Sequence, residues 1–345
     1  MQIIDLIQDN YKIISVIGMS KNAGKTVALN ELLCEAAGKN MAVGLTSIGR
    51  DGEKQDIVTC TEKPLIYVME GTYIATAESL FNCSEAKLEI LEITDFSTSI
   101  GRIIIAKAIS PGYVQIAGPC SNREIRIVAE KMLNYGAELS IVDGALDRVS
   151  SASPTITEAT ILSTGAVLSR DMNKVVEQTV HRVNLFHLEE EMDHRVRAIA
   201  QNAFDEKKIT LIDDEFTPKT LPIKTSLNAG KIIGEAIEES THTVIIPGSF
   251  VSKTAMDITS MTKHYKTVNF VIQDATKVFI EHRDWLLLSK LGLNLKVMDS
   301  INVLAVTINP YAPQGYYFDP SLFRERMVTY LDQVPVIDVM EGSEL

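Results

Sequence analysis

The densest piece of chemistry in this chain is the run Asn22-Ala23-Gly24-Lys25-Thr26. A glycine, a lysine and a hydroxyl in a row suit the binding of a polyphosphate. Backbone amides at a helix start offer many donors at short range, and the helix dipole adds favourable potential. Gly24 lets the backbone approach the anion, Lys25 reaches the terminal phosphates, and the Thr26 hydroxyl is a ligand for Mg²⁺. The whole contact run extends from Met19 through Ser20, Lys21, Asn22, Ala23, Gly24, Lys25 and Thr26 to Val27. Lys21 adds a second positive charge or is a solvated loop lysine. One departure stands out. The G-x-x-x-x-G-K-[ST] pattern asks for glycine at position 19, where this chain has Met19, and Gly18 comes one residue early. Either the loop is one residue longer, or Met19 occupies that place with a negative φ.

Such a site needs a carboxylate to orient the metal, usually an Asp that ends an apolar strand. Asp143, closing Leu139-Ser140-Ile141-Val142, has that form, and the polar stretch after it, 145–151, reads as a loop responsive to a terminal phosphate. Asp51, in Thr46-Ser47-Ile48-Gly49-Arg50-Asp51-Gly52-Glu53, is a candidate for the metal or for an attacking water, with Asp56 in reserve and Arg50 to neutralise phosphate. A turn built on Gly49 and Asp51-Gly52 explains the same residues. Glu70 is a third strand-end carboxylate. Asn309, ending Val303–Ile308, carries an amide that suits a purine edge. An Asn-Pro turn at 309–310 ranks ahead of that reading.

The elements that must carry these residues read as alternating strands and helices. Strands are expected at Lys12–Ile17, Met41–Thr46, Leu65–Val68, Leu88–Ile93, Gly112–Ile116, Leu139–Val142 and from Thr160, with helices at Thr26–Ala37, Asn122–Tyr135 and Asp171–Phe186. That alternation implies an α/β fold with a mostly parallel sheet flanked by helices. Leu188–Phe204 is charge-rich and reads as helical. After it the alternation resumes, with strands at Thr243–Ile246, Val268–Ile272, Val303–Ile308 and Val336–Val339 and helices at Ser252–Lys263, His282–Leu291 and Pro320–Leu331. The division expected is 1–186 for the domain with the loop and 187–345 for a second α/β domain or a continuation of the sheet. If Asn309 contacts a base, the second half must return to the first sheet.

Other constellations carry less. His187 and His194 sit two helical turns apart, too far to share a metal ion. Ser249, in Pro247-Gly248-Ser249, lacks the second glycine of a nucleophile elbow and reads as a strand-to-helix turn, although Pro247-Gly248 could line a cleft. Cys34, Cys60, Cys83 and Cys120 show no C-x-x-C spacing, which removes the usual zinc and dithiol readings. Over 345 residues, 33 Lys and Arg against 45 Asp and Glu leave a net charge of −12. That balance argues against nucleic acid and anionic membrane as partners. The first ten residues lack the basic start of a signal peptide and no long apolar run appears, so the expected location is the cytoplasm.

The strand, the loop, TSIGRDGE and IVDGA together resemble the dethiobiotin-synthetase-like and MinD-like group of P-loop NTPases. More narrowly, IGMSKNAGKT, LTSIGRDGE, EGTYIATAE and VDGALDRVSSASP resemble the P-loop reactivase subunit encoded with lysine 5,6-aminomutase. The resemblance implies ATP and Mg²⁺ as cofactors, phosphate and metal roles for Lys25 and Thr26, and a metal role for Asp143. It also implies two partners, the adenosylcobalamin-dependent aminomutase and a MutS-like ATPase subunit. Hydrolysis would loosen the aminomutase enough to exchange damaged cobalamin. Related proteins often dimerise across the nucleotide face, so a homodimer is an open assembly. Absence of an N-K-x-D motif leans toward ATP over GTP. Two other classes stay open: an ATP-dependent ligase or kinase of a small carboxylate, anchored by Arg50, Arg148 or Lys253, and a nucleotide-gated binding module without turnover.

Overall fold

The computed structural model describes residues 2–7, 10–48, 65–144, 149–223, 225–331 and 333–339. It divides into two compact units: residues 1–179 with 302–345, and residues 180–301.

The first unit opens with α1 (Ile3–Ile7), β1 (Ile13–Gly18), α2 (Lys25–Gly38) and β2 (Val43–Ser47). It continues through β3 (Ile66–Val68), β4 (Tyr73–Ala77), α3 (Glu78–Phe81), β5 (Leu88–Thr98), β6 (Gly101–Ala108) and β7 (Gly112–Val114). Then come α4 (Asn122–Asn134), β8 (Leu139–Asp143), β9 (Ala159–Gly165) and α5 (Met172–Phe186), which runs on into the second unit. Nine strands form one sheet in the order β20-β17-β9-β1-β8-β2-β4-β6-β5, its last members β17 (Val303–Asn309) and β20 (Val336–Asp338) arriving from the end of the chain. Seven neighbours from β20 to β4 are parallel; β6 is antiparallel to both β4 and β5.

The central strands are apolar on both faces because helices cover both. Alternate side chains point to opposite sides of a strand, and the core divides accordingly. Ile14, Val16, Leu45, Ile74, Ile141 and Ile161 pack with Ala28, Leu29 and Leu32 of α2. Ile13 and Val142 pack with Ile125 and Ala129 of α4. Tyr73, Ala75, Ile103 and Ile105 meet Val128 and Met132 further along that helix. Full burial of a Leu such as Leu29 or Leu32 stabilises the fold by about 1.5–3 kcal/mol.

Between β1 and β2 the chain moves to one side of β1; between β8 and β9 it steps over β1 to the other. Crevices at the carboxyl end of such a strand are where open α/β sheets bind ligands.

The second unit holds α6 (His194–Asp205), β10 (Thr210–Asp213), β11 (Pro218–Thr220), α7 (Gly230–Ala236), β12 (Thr241–Ile245), β13 (Phe250–Val251) and α8 (Ser252–Met261). β14 (Asn269–Ile272), β15 (Val278–Phe279), α9 (His282–Leu291) and β16 (Asn294–Val297) complete it. Its five-stranded sheet runs β11-β10-β12-β14-β16, with β12, β14 and β16 parallel. Val196, Ala200 and Ala203 of α6 cover Ile212, Ile245 and Val271 on one face. Val244, Ile246, Phe250 and Phe270 pack with Ile233, Ile258 and Leu288 on the other. β12, β14 and β16 follow in sequence order, so their carboxyl ends have no switch point.

One sequence expectation is corrected here. Leu188–Phe204 is not one helix. Asp193 caps α6 by accepting from the Arg195 amide, so the helix starts at His194. Upstream, Glu190 bridges Val297 in parallel, with the Glu191 amide bonded to the Val297 carbonyl. His187 therefore lies outside the helix that carries His194. After β20's partner strand β17, the chain forms the hairpin β18 (Tyr311–Ala312) and β19 (Tyr316–Tyr317), then α10 (Pro320–Tyr330). No helix among the described residues is long and apolar enough to cross a membrane.

Candidate functional site

β1 ends at Gly18, and the Met19 amide still bonds to the Ser163 carbonyl of β9 at 2.9 Å. Six residues, 19–24, then turn the chain into α2. The left-handed positions are Asn22 (φ 63°) and Gly24 (φ 96°), while neither Gly18 nor Met19 has a positive φ. This accounts for methionine at 19: the backbone there asks for no glycine. Gly24 is required twice over, by its φ and because a Cβ would stand 2.9 Å from Asn309 Cβ.

α2 has no side-chain cap. Among the described residues no carbonyl accepts from the amides of Gly24, Lys25, Thr26 or Val27, the first such bond being Ala28 to Gly24. A 14-residue helix thus presents an open row of donors with a lysine in its first turn. The Thr26 hydroxyl makes no hydrogen bond among the described residues. Ser20 donates to the Lys21 carbonyl, and Lys21 is exposed.

Asp143 ends β8, in register with Val16 of β1 and Ser47 of β2. The Lys25 ammonium lies 2.7 Å from its Oδ1, the two side chains being 16% and 19% exposed, and also donates to the Gly144 carbonyl. That oxygen is buried, and among the described residues Lys25 is its charge partner. Burial pushes the Asp143 carboxyl up from its ordinary range, against the downward pull of Lys25. The small open fraction does not reverse this, since protein surrounds the carboxyl.

Asn309 ends β17 opposite Gly165 of β9, on the same edge of the sheet. Its Nδ2 lies 3.5 Å from the Asn22 carbonyl and its Oδ1 accepts from the Tyr311 amide at 3.0 Å. The side chain is therefore used by the turn and by the loop, in line with the Asn-Pro reading, and the first strand of the returning chain buttresses residues 22–24. Beyond it, Pro310, Tyr311, Pro320, Arg324, Val328 and Asp338 line a hollow of about 530 Å³.

The remaining candidates divide. Asp51, with Arg50, Asp56 and Arg148, lies outside the described residues. Glu70 is corrected: it precedes β4, at the amino edge of the sheet, opposite to Asp143, beside a separate hollow of about 380 Å³. Among the described residues β3 pairs with β7 alone, so its end is no part of the carboxyl edge. Lys253 belongs to the second unit and donates to Asn228, while the Ser249 carbonyl accepts from Ser226. Cys34, Cys83 and Cys120 form no disulfide with one another. The sequence reading did not anticipate the pairing of Lys25 with Asp143 and Gly144. A lysine after Gly24 and an acid at a neighbouring strand end were its only signals.

Among the described residues, no group of three or more His, Cys, Asp and Glu is placed to hold a metal ion. No protein-family model, no curated protein and no solved structure matches this chain.

Proposed function

We propose that this chain is a P-loop NTPase that binds Mg·ATP on the loop 19–24 and the first turn of α2. The observation that carries the reading is the uncapped start of α2, with four unpaired amides beside the Lys25–Asp143 pair. A triphosphate offers that row of donors what no residue of the described protein supplies. It also competes with Asp143 and the Gly144 carbonyl for Lys25. The Thr26 hydroxyl and Asp143 are the residues that would hold Mg²⁺, which neutralises phosphate charge when bound. A hydroxyl and one carboxylate, with phosphate oxygens completing the shell, suit this hard ion without a cluster of protein ligands. Asp51 is the residue expected to orient water.

The more specific part rests on the resemblance of IGMSKNAGKT, EGTYIATAE and VDGALDRVSSASP to the reactivase subunit. ATP turnover would power, with a MutS-like ATPase, the exchange of damaged cobalamin in an adenosylcobalamin-dependent lysine 5,6-aminomutase. Such coupling requires that ATP-bound and ATP-free forms differ in affinity for the partner.

Calorimetric titration with Mg·ATP tests the first part. Saturable heat with an upward shift in melting temperature is expected; neither heat nor shift would overturn it. Recovery of inactivated aminomutase by this chain, its ATPase partner, ATP and adenosylcobalamin tests the second. ATP turnover that depends strictly on a small carboxylate would replace it with the ligase reading.

A further inference from the structure

Behind the Lys25–Asp143 pair sits a side chain that the nucleotide reading does not use. Ser151 follows Asp143 by eight positions in sequence and is fully buried. Among the described residues its Oγ has no hydrogen-bond partner. A buried hydroxyl without a partner costs free energy, so its persistence asks for a state in which the partner exists.

Two facts bear on that partner. A Cβ built on Gly144 would stand 2.6 Å from Ser151 Oγ, so the hydroxyl lies against the Gly144 backbone. The Gly144 carbonyl, meanwhile, takes the Lys25 ammonium as donor. Once Lys25 moves to a phosphate, that carbonyl loses its donor while an unused donor waits beside it.

The surrounding bonds define what can turn. The Gly144 amide is bonded to the Val16 carbonyl at 2.9 Å, which fixes the peptide before Gly144 to β1. The Ser151 carbonyl accepts from Thr157 Oγ1 at 2.8 Å; that hydroxyl also reaches Ser15 Oγ, itself paired with Thr160. Both flanks are anchored. Between those anchors, a turn of the Gly144 carbonyl is the movement that would take it from Lys25 to Ser151. Position 144 has no room for a side chain, which would also meet Ile17 Cγ2 at 2.8 Å and the Val16 carbonyl at 3.1 Å.

We propose that Gly144 and Ser151 form a nucleotide-responsive switch, in which Ser151 Oγ–H replaces Lys25 as donor to the Gly144 carbonyl when Lys25 engages bound phosphate. This rests on the nucleotide reading above and names the device that reports occupancy. The exchange couples the loop 19–24 to the chain following Asp143 by trading one donor for another.

The test is Ser151→Ala, which deletes the waiting donor and also relieves the unpaired hydroxyl of the free form. The melting temperature of the free protein is expected to rise, while Mg·ATP affinity falls about fivefold, the effect of one hydrogen bond. Ser151→Cys, similar in size and a weak donor, is expected to lose affinity in the same direction. A hydroxyl with a merely structural role would move the melting temperature and leave affinity alone. Affinity within about twofold of the wild type in both variants, with the wild type itself binding, overturns the switch and leaves the nucleotide reading intact. No binding by the wild type overturns both.

Discussion

Replacing Lys25 with alanine is expected to weaken Mg·ATP binding at least about 100-fold, a loss near 2.7 kcal/mol. The same change is expected to destabilise the free protein by about 3 kcal/mol at neutral pH, because it leaves the Asp143 carboxylate buried without its cation. The two effects share a cause and separate by pH. Burial raises the Asp143 pKa in the fold above its unfolded value, so the fold favours the protonated acid. Stability linked to Asp143 is therefore complete below the unfolded carboxyl pKa and declines as pH rises through the raised folded one. Without Lys25 nothing opposes that decline. Urea unfolding should show a wider gap between variant and wild type at pH 8 than at pH 5, and Asp143→Asn added to Lys25→Ala should close most of it. An equal gap at both pH values, or unaltered ATP affinity, would sink the assignment.

Gly118→Ala is the second large effect. Segment 115–118 crosses the carboxyl ends of β2 and β4, where Ser47 Oγ donates to the Ile116 carbonyl and accepts from the Gly118 amide, and the Ala77 amide bonds to the Ala117 carbonyl. A Cβ on Gly118 would fall 1.9 Å from the Ser47 carbonyl oxygen and 2.6 Å from Thr46 Oγ1. The main obstacle is the backbone of a buried central strand, which cannot turn aside like a flexible side chain. A cost above about 3 kcal/mol follows, or a fall in melting temperature of roughly 6–12 °C. Gly38→Ala makes the control. That glycine ends α2 with nothing within 4 Å of the added carbon, and the change is expected to stabilise slightly. Similar melting temperatures for both variants would contradict the steric argument.

Much of the site was readable in the primary sequence because it is local. Strand, loop and helix around Lys25 follow one another, and hydrophobic periodicity identifies each: the helix read over Thr26–Ala37 spans Lys25–Gly38, and the strand read over Leu139–Val142 spans Leu139–Asp143. What escaped is what tertiary neighbours decide. The strands Tyr73–Ala77 and Gly101–Ala108 were missed, and Leu88–Ile93 was cut short of Thr98. Tyr73–Ala77 is buried throughout and has no polar-apolar alternation to read, and β5 is an edge strand with register shifts that interrupt its pattern. The Leu188–Phe204 helix failed for another reason. Its acidic residues suit helical charge patterning, yet Asp193 competes as a cap and Glu190 finds a pairing edge at Val297. Asn309 was placed correctly at a strand end, but nothing in its neighbours shows that its amide would brace a loop 287 residues away.

That brace has a consequence for how the protein is made. Loop 19–24 leaves the ribosome early, whereas β17 and Asn309 follow only after the whole of 180–301 has been translated. A nascent chain can form the β1–α2 turn at once, but Gly24 has no Asn309 behind it until the last segment inserts beside β9. Such distant closure is slow, since chain entropy opposes it until the final contacts form. A chain stopped after Ile301 is expected to expose the β9 edge and to capture no ATP; tight capture by that fragment would show that the early turn matures unaided.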